Sequence, residues 1–200
     1  DRSPSRGLGD VYKRQVNMRI ISGKHRGRIL RSLDGENTRP TTDRVKESLF
    51  DIIQTRIQDS DVLDLFAGSG ALGIECLSRG ANSVVFCDNN KEAVDVINRN
   101  LKNIEGNYKI VHSDFKMVLK GDEKYDIIFI DAPYRSPHAT DALNIINAYR
   151  ILKDDGVICY ERLFDLTPKI PDGLKIVDTR KYGNTALEFI TYDEESSNNG

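Results

Sequence analysis

The chain has 200 residues, of which 38% are hydrophobic, and a formal net charge of −2 at pH 7. That is enough apolar material for one sizeable core, and no stretch approaches the roughly 18 apolar residues that a membrane span needs. The three cysteines and three histidines are scattered without ligand spacing, so neither a disulfide framework nor a metal site is predicted. We expect one main domain, located in the cytoplasm, that needs no metal.

The two ends of the chain lack any hydrophobic period. Residues 1–17 combine Ser, Pro, Gly and Arg and are predicted to be disordered. Met18 is a plausible native start, so we interpret residues 1–17 as a non-native leader. Residues 193–200 are polar and are predicted to form a flexible tail.

A basic segment follows the leader. Between Met18 and Lys46 there are eight Lys and Arg residues against three Asp and Glu residues. Residues 18–36 are predicted to form a short β-hairpin with Gly23 and Gly27 near its turn. Its charge suits a polyanion-binding face or an ordinary solvated surface, and charge alone does not separate the two. The candidate RNA contacts are Arg19, Lys24, Arg26, Arg28 and Arg31.

Helices and strands alternate through the main domain, which we predict to span residues 37–192. A helix of about four turns is expected within residues 39–53, capped by a Thr or Asp side chain. Near-continuous apolar strands then alternate with helices, the pattern of a parallel sheet covered on both faces. The predicted strands of this part are residues 61–67, 83–88, 108–114, 125–131 and 156–161, and the clearest helices are residues 71–80 and 91–103.

The end of the chain departs from this alternation. Residues 174–192 read as two strands joined by Gly183-Asn184, a two-residue turn with glycine first, as a type II′ hairpin prefers. Seven strands with a terminal antiparallel hairpin are the arrangement of class I methyltransferases that use S-adenosylmethionine, a Rossmann-like α/β fold. At this point that is a fold-level analogy.

A glycine loop follows the first strand of the sheet. Gly68, Gly70 and Gly73 have G-x-G-x-x-G spacing and open a helix, which suits a nicotinamide cofactor or S-adenosylmethionine equally. Asp88, at the end of the next strand, could bind a ribose diol of either. Asp64 lies inside the preceding strand, where it would repel a pyrophosphate and tolerate a cationic sulfonium and amino group.

Further cofactor contacts are predicted at the ends of the strands. Asp114 can accept a hydrogen bond from an adenine amino group while Phe115 packs on its face, although Asp114 could also simply cap a helix. The remaining candidates flank the positions already named: Phe66, Ser69 and Asn89.

The Asp-Ala-Pro-Tyr sequence of residues 131–134 ends the fourth strand of the sheet. An exocyclic amine of a nucleobase is a poor nucleophile, and the Asp131 carboxylate and the Ala132 carbonyl could accept its two N–H bonds and orient its lone pair. Pro133 stiffens the turn, and Tyr134 offers a ring on which an extruded base can stack. We predict that Asp131, Ala132, Pro133 and Tyr134 form a catalytic base pocket.

This sequence closely resembles the bacterial RsmD family of 16S rRNA guanine-N2 methyltransferases, which modify guanine 966 in rRNA numbering. The likeness extends over residues 18–192 and includes "RPTTDRVKESLFDII", "VLDLFAGSGALGIECLSRGA" and "KYGNTALEF". It implies S-adenosylmethionine as cofactor, 16S rRNA within an assembling small subunit as partner, and a monomeric enzyme. Arg39 could pair with a phosphate or with the cofactor carboxylate, or could cap the sheet, and the resemblance places Arg39 to Thr41 over the methionine end of the cofactor.

One position departs from the family pattern. The family usually reads Asp-Pro-Pro-Tyr or Asp-Pro-Pro-Phe, whereas this chain has Ala132, so we expect a less rigid loop that keeps the required carbonyl. The motif recognises an amine without identifying the base, so a DNA adenine-N6 or other RNA amino-methyltransferase stays open. An oxidoreductase or a nonenzymatic RNA-binding module is the alternative of another class.

Overall fold

The computed structural model describes residues 18–33 and 42–195. The predicted leader, the linking residues 34–41 and the last five residues of the predicted tail lie outside the described residues.

The described elements are, in chain order, β1 (Met18–Arg19), β2 (Ile29–Leu30), α1 (Thr42–Ile57), β3 (Asp61–Asp64), α2 (Ala71–Ser78), β4 (Ser83–Asp88), α3 (Lys91–Leu101), β5 (Tyr108–His112), α4 (Phe115–Val118), β6 (Tyr125–Ile130), α5 (His138–Tyr149), β7 (Leu152–Leu163), β8 (Leu174–Tyr182) and β9 (Thr185–Tyr192).

Seven of these strands form one mixed sheet. Its order is β5-β4-β3-β6-β7-β9-β8, in which the first five strands run parallel and β9 runs antiparallel to both β7 and β8. The β8–β9 turn contains Gly183 at φ 57, a backbone conformation that glycine adopts without steric cost. The predicted class I methyltransferase fold, with its terminal hairpin, is confirmed.

The core has two layers because the sheet is covered on both faces. Alternate residues of the parallel strands point to opposite sides, so Val62 and Phe86 pack with helices α1 to α3, while Leu63 and Cys87 pack with α4 and α5. The strands therefore read as continuous apolar runs. Within the described residues, no helix combines the length and apolar character that crossing a bilayer requires.

The N-terminal hairpin is docked on helix α2. Strands β1 and β2 pair antiparallel over two residues each, with Met18 opposite Leu30. The Glu75 carboxylate, which is fully buried, accepts the backbone N–H groups of Ile21 and Ser22 at 2.9 to 3.2 Å. Two cations neutralise this carboxylate: Lys46 of α1 at 3.3 Å and Arg79 at 2.9 Å. The hairpin is therefore held against the main domain by a buried charged network.

Candidate active site

The glycine loop between β3 and α2 forms the floor of a cleft at the carboxyl edge of the sheet. Gly68 and Gly70 have φ values of 57 and 81, so the loop uses conformations that L side chains rarely adopt. A Cβ on Gly73 would lie 2.3 Å from Cε1 of Phe86, which explains the third glycine by close packing of α2 on β4. The sequence motif thus corresponds to a turn and a close helix–sheet contact.

Asp88 connects this loop to the end of β4. Its Oδ2 accepts the N–H of Gly68 at 2.9 Å and its Oδ1 accepts the N–H of Asn90 at 2.9 Å. Asp88 and Asn89 both line the cleft, and their predicted contacts with a cofactor stay a prediction. The two backbone bonds hold the Asp88 carboxylate in place at the cleft wall.

Asp64, at the end of β3, and Ser69, within the loop, are both buried. The Asp64 side chain is 2% exposed and its Oδ2 accepts the N–H of Gly73 at 3.2 Å. The pKa of Asp64 is raised to about 7, mainly by burial and to a smaller extent by the nearby Asp88 charge, while the Gly73 hydrogen bond acts in the opposite direction. The structure thus places Asp64 against the start of α2, and its predicted contact with the cofactor stays a prediction.

Aromatic rings form one wall of the cleft. Phe66 and Phe115 have ring centroids 5.0 Å apart at 47°, and the His138 imidazole stacks at 6.2 Å from Phe66. Asp114 lines the same wall and also caps α4, because its Oδ1 accepts the N–H of Lys116 at 2.8 Å. Both interpretations of Asp114 are therefore compatible with one position.

Sequence reasoning missed His138. We had treated the histidines as ordinary, yet His138 begins α5 at the cleft, and its Nδ1 is buried without a hydrogen-bond partner in the described part of the chain. No spacing in the sequence marks this residue, because the turn after β6 brings it to the aromatic wall. Leu33, just after the hairpin, was missed for the same reason and also lines the cleft.

The Asp-Ala-Pro-Tyr segment leaves β6 beside the glycine loop. Strands β3 and β6 are adjacent, with Asp64 opposite Phe129, so the segment and the loop emerge at the same edge. The turn that follows is closed by Ser136, whose Oγ donates to the Pro133 carbonyl at 2.7 Å. The hydroxyl of Tyr134 donates to Oε1 of Glu161 at 3.0 Å.

Two cavities meet at this segment. The first has a volume of about 420 Å³ and lies between the glycine loop, the aromatic wall and residues 131–134. The second, of about 440 Å³, shares Ala132, Pro133 and Tyr134 with the first and is otherwise lined by the start of α5, the end of β7 and residues 166–169. The predicted catalytic segment therefore separates two compartments.

The predicted RNA-binding residues cover the outer side of the hairpin. Arg19, Lys24, Arg26 and Arg31 are exposed and Arg28 is half-buried. Lys24 is paired with Glu105, and Arg28 donates to the Lys102 carbonyl. The Asn100 side chain connects the residue after β2 with the glycine loop, because its Nδ2 donates to the carbonyls of Arg31 and Ser69, both at 2.9 Å. No pattern in the sequence identified this residue.

Some predictions lie outside what the structure tests. Arg39 and Thr41 lie outside the described residues, so their placement over the cofactor stays a prediction. Among residues 18–33 and 42–195, no group of His, Cys, Asp and Glu side chains is arranged to hold a metal ion.

Comparison with known proteins connects these features to one family. The family model described as "Conserved hypothetical protein 95" matches residues 18–191. Ribosomal RNA small subunit methyltransferase D of Escherichia coli strain K12 is 35% identical over 162 residues, covering 80% of this chain and 79% of the relative. The protein of the same name from Haemophilus influenzae is 33% identical over 172 residues, covering 83% and 89%.

Solved structures agree with this relationship. The structure of yhhF from Escherichia coli, described as a candidate methyltransferase, superposes with a TM-score of 0.79 at 31% identity and covers 88% of this chain and 98% of that one. A ribosomal protein L11 methylase from Lactobacillus delbrueckii shares the fold at 19% identity, with a TM-score of 0.65 over 76% of this chain and 80% of its own. The chain therefore belongs to the RsmD family, whose model carries the description "Conserved hypothetical protein 95".

Proposed function

We propose that the protein transfers a methyl group from S-adenosylmethionine to the exocyclic N2 amine of a guanine in 16S rRNA. The observation that carries this proposal is the position of residues 131–134: all four line the cleft beside the glycine loop, and Ala132, Pro133 and Tyr134 also line the adjoining cavity. A methyl donor in one compartment and a base in the other would meet at this segment. Relatives named ribosomal RNA small subunit methyltransferase D support the choice of rRNA.

The residues around the cleft fit S-adenosylmethionine. Asp88 presents a fixed carboxylate that would hold the ribose hydroxyls, and the Phe66 and Phe115 rings would pack on the adenine. Asp64, against the start of α2, would keep the glycine backbone in its cofactor-binding shape. When bound, S-adenosylmethionine supplies an electrophilic methyl group on a sulfonium.

The side chains and backbone of the protein would promote the reaction by positioning the target base rather than by acid–base chemistry. Asp131 and the Ala132 carbonyl would accept the two amine N–H bonds and direct the lone pair into the cleft. The ring of Tyr134, anchored through its hydroxyl, would stack on the extruded base, worth about 1–3 kcal/mol against an unstacking cost of a few kcal/mol. The Ala132 carbonyl is available without the proline that the family usually carries there.

The basic hairpin would bind RNA around the target base. Exposed Arg19, Arg26 and Arg31 lie on the element that borders the cleft through Leu33. We further propose that the substrate is an assembling small ribosomal subunit, and that the enzyme acts as a monomer in the cytoplasm.

The test supplies methyl-labelled S-adenosylmethionine with small ribosomal particles, naked 16S rRNA or duplex DNA, followed by nucleoside digestion and mass spectrometry. We expect N2-methylguanosine from a ribosomal substrate, reduced about a hundredfold or more by Asp131→Ala, because amine positioning carries most of the rate. Asp122→Ala is the matched control, since Asp122 is exposed in the turn before β6. N6-methyladenine from DNA would reject the substrate, and no methyl transfer to any of the three would reject the proposal.

A further inference from the structure

The second cavity contains a carboxylate that belongs to neither the glycine loop nor the Asp-Ala-Pro-Tyr segment. Glu161 lies near the end of β7 and lines this cavity together with Tyr134. We propose that Glu161 reads the Watson–Crick edge of the target base by accepting the N1–H of guanine, and so selects guanine over adenine. This inference rests on the proposed function, because it assigns a base to the same pocket.

The register of the sheet places Glu161 beside the catalytic segment. Ile130 of β6 is paired with Tyr160 of the parallel strand β7, so Asp131 and Glu161 are the next residues on two adjacent strands. Neighbouring strands lie about 4.8 Å apart, and in-register residues project from the same face of a sheet. The two carboxylates therefore leave the sheet at the same edge, where Asp131 lines the first cavity and Glu161 lines the second.

A hydrogen bond fixes Glu161 relative to the stacking ring. The hydroxyl of Tyr134 donates to Oε1 of Glu161 at 3.0 Å. A carboxylate has about four acceptor positions and can accept several donors at once, so the Tyr134 hydroxyl and a donor on a base stacked against Tyr134 can share it. The side chain that stacks on the base and the side chain that reads its edge would be positioned together.

The neighbouring guanidinium is committed elsewhere. Arg162 is 9% exposed and donates through Nε and Nη2 to Oε1 of Glu188 at 2.9 and 2.6 Å. Its Nη1 donates to the carbonyls of Leu163, Phe164 and Leu166, which shapes the far wall of the cavity. Arg162 thus helps to form the wall of the cavity, and Glu188 neutralises its charge.

The chemistry of the bases makes a carboxylate selective here. Guanine presents N1–H next to its N2 amine, so two adjacent donors could meet Glu161 and Asp131. Adenine presents an amine next to the N1 lone pair, which would face the carboxylate as a second acceptor. An unmade hydrogen bond in a desolvated pocket costs about tenfold to a hundredfold in affinity or rate. The pair of acidic residues would accept guanine and reject adenine.

The test uses a synthetic RNA loop around the methylated guanine, made with guanine or 2-aminopurine at that position. 2-Aminopurine keeps the N2 amine but has an acceptor at N1. We expect wild-type enzyme to favour guanine by about tenfold to a hundredfold in kcat/KM. Glu161→Gln keeps the side-chain size and can donate from its amide to N1 of 2-aminopurine, so the guanine preference should fall at least about tenfold.

Control variants separate recognition from simple positioning of the ring. Tyr134→Phe removes the hydroxyl that holds Glu161 but retains the ring, so it should weaken the guanine preference less than Glu161→Gln does and should not raise kcat/KM for 2-aminopurine. Glu161→Ala should lose the guanine preference without gaining turnover on 2-aminopurine. Quenching of 2-aminopurine fluorescence measures base binding independently of methyl transfer and should strengthen with Glu161→Gln.

The outcomes are distinguishable. The ratio of kcat/KM for the guanine RNA to kcat/KM for the 2-aminopurine RNA, measured on one enzyme preparation, does not depend on how much of the enzyme is folded. An unchanged ratio in Glu161→Gln would show that Glu161 only positions Tyr134 and would overturn this inference while the proposed function stands. Failure of wild-type enzyme to methylate guanine in this RNA loop, in naked 16S rRNA and in small ribosomal particles would instead reject the proposed function, and this inference with it.

Discussion

Two glycines of the N-terminal hairpin offer a matched pair of substitutions. Gly23 and Gly27 have similar positive φ values of 87 and 84. A Cβ on Gly23 would lie 1.9 Å from the carbonyl oxygen of Ser78, whereas a Cβ on Gly27 would meet no atom within 4 Å. The two alanine variants share the backbone strain and differ in contact with α2.

The expected magnitudes follow from this difference. Alanine in the left-handed region costs about 1–2 kcal/mol at either position. At Gly23 the contact is with backbone that cannot rotate away, and the hairpin must shift where the Lys24 N–H donates to the Ser78 carbonyl at 2.8 Å. Overpacking of this kind adds about 1–3 kcal/mol. We therefore expect Gly23→Ala to lower the free energy of unfolding by about 1–3 kcal/mol more than Gly27→Ala does.

Urea unfolding followed by circular dichroism measures both values, and RNA binding by fluorescence anisotropy gives a second readout. Gly23→Ala should weaken RNA binding more than Gly27→Ala, because it displaces the basic hairpin from its packing contact with Ser78 of α2. Equal losses of stability would refute the argument, since they would show that the hairpin does not rest on Ser78 in solution.

Three further predictions concern charge. Asp64→Asn should remove a pH dependence: because burial raises the pKa of Asp64 from 3.8 to about 7, the folded state keeps a proton that the unfolded chain has released. The stabilisation from this bound proton is complete below pH 3.8, the pKa of Asp64 in the unfolded chain. It is lost as the pH rises to about 7, at about 1.4 kcal/mol per pH unit. The free energies of unfolding of wild type and Asp64→Asn, measured by urea unfolding, should approach each other with this slope as the pH falls. A difference between them that does not change with pH would contradict the prediction. Glu75→Gln should cost about 3–5 kcal/mol, because the buried Lys46 ammonium loses its counter-charge. Glu105→Gln, which alters an exposed pair with Lys24, is its control and should change stability much less; similar losses would argue against the buried network. RNA affinity should fall with salt at a log–log slope of roughly −4 if about six phosphates are contacted, and a slope near zero would remove the RNA-binding role of the hairpin.

Local sequence patterns determined much of the architecture. The apolar strands, the glycine loop and the Gly183-Asn184 hairpin were readable because each depends on neighbours in the chain: strand periodicity, backbone freedom at Gly68 and Gly70, and a two-residue turn. The Asp-Ala-Pro-Tyr segment could be placed at the cleft because carboxyl ends of parallel strands meet at one edge. These predictions needed no knowledge of side-chain contacts.

Contacts between distant segments could be decided only by the tertiary structure. Asp64 turned out to lie against the start of α2, because the inward side of β3 is covered by α2 and its carboxylate finds the Gly73 amide there. His138 reaches the aromatic wall through the turn after β6, and Glu161 meets Tyr134 because β7 lies in parallel register with β6. The sequence alone determined the fold and the edge of the sheet at which the cleft lies through local backbone chemistry, whereas strand register and helix packing decided which side chains share a cavity.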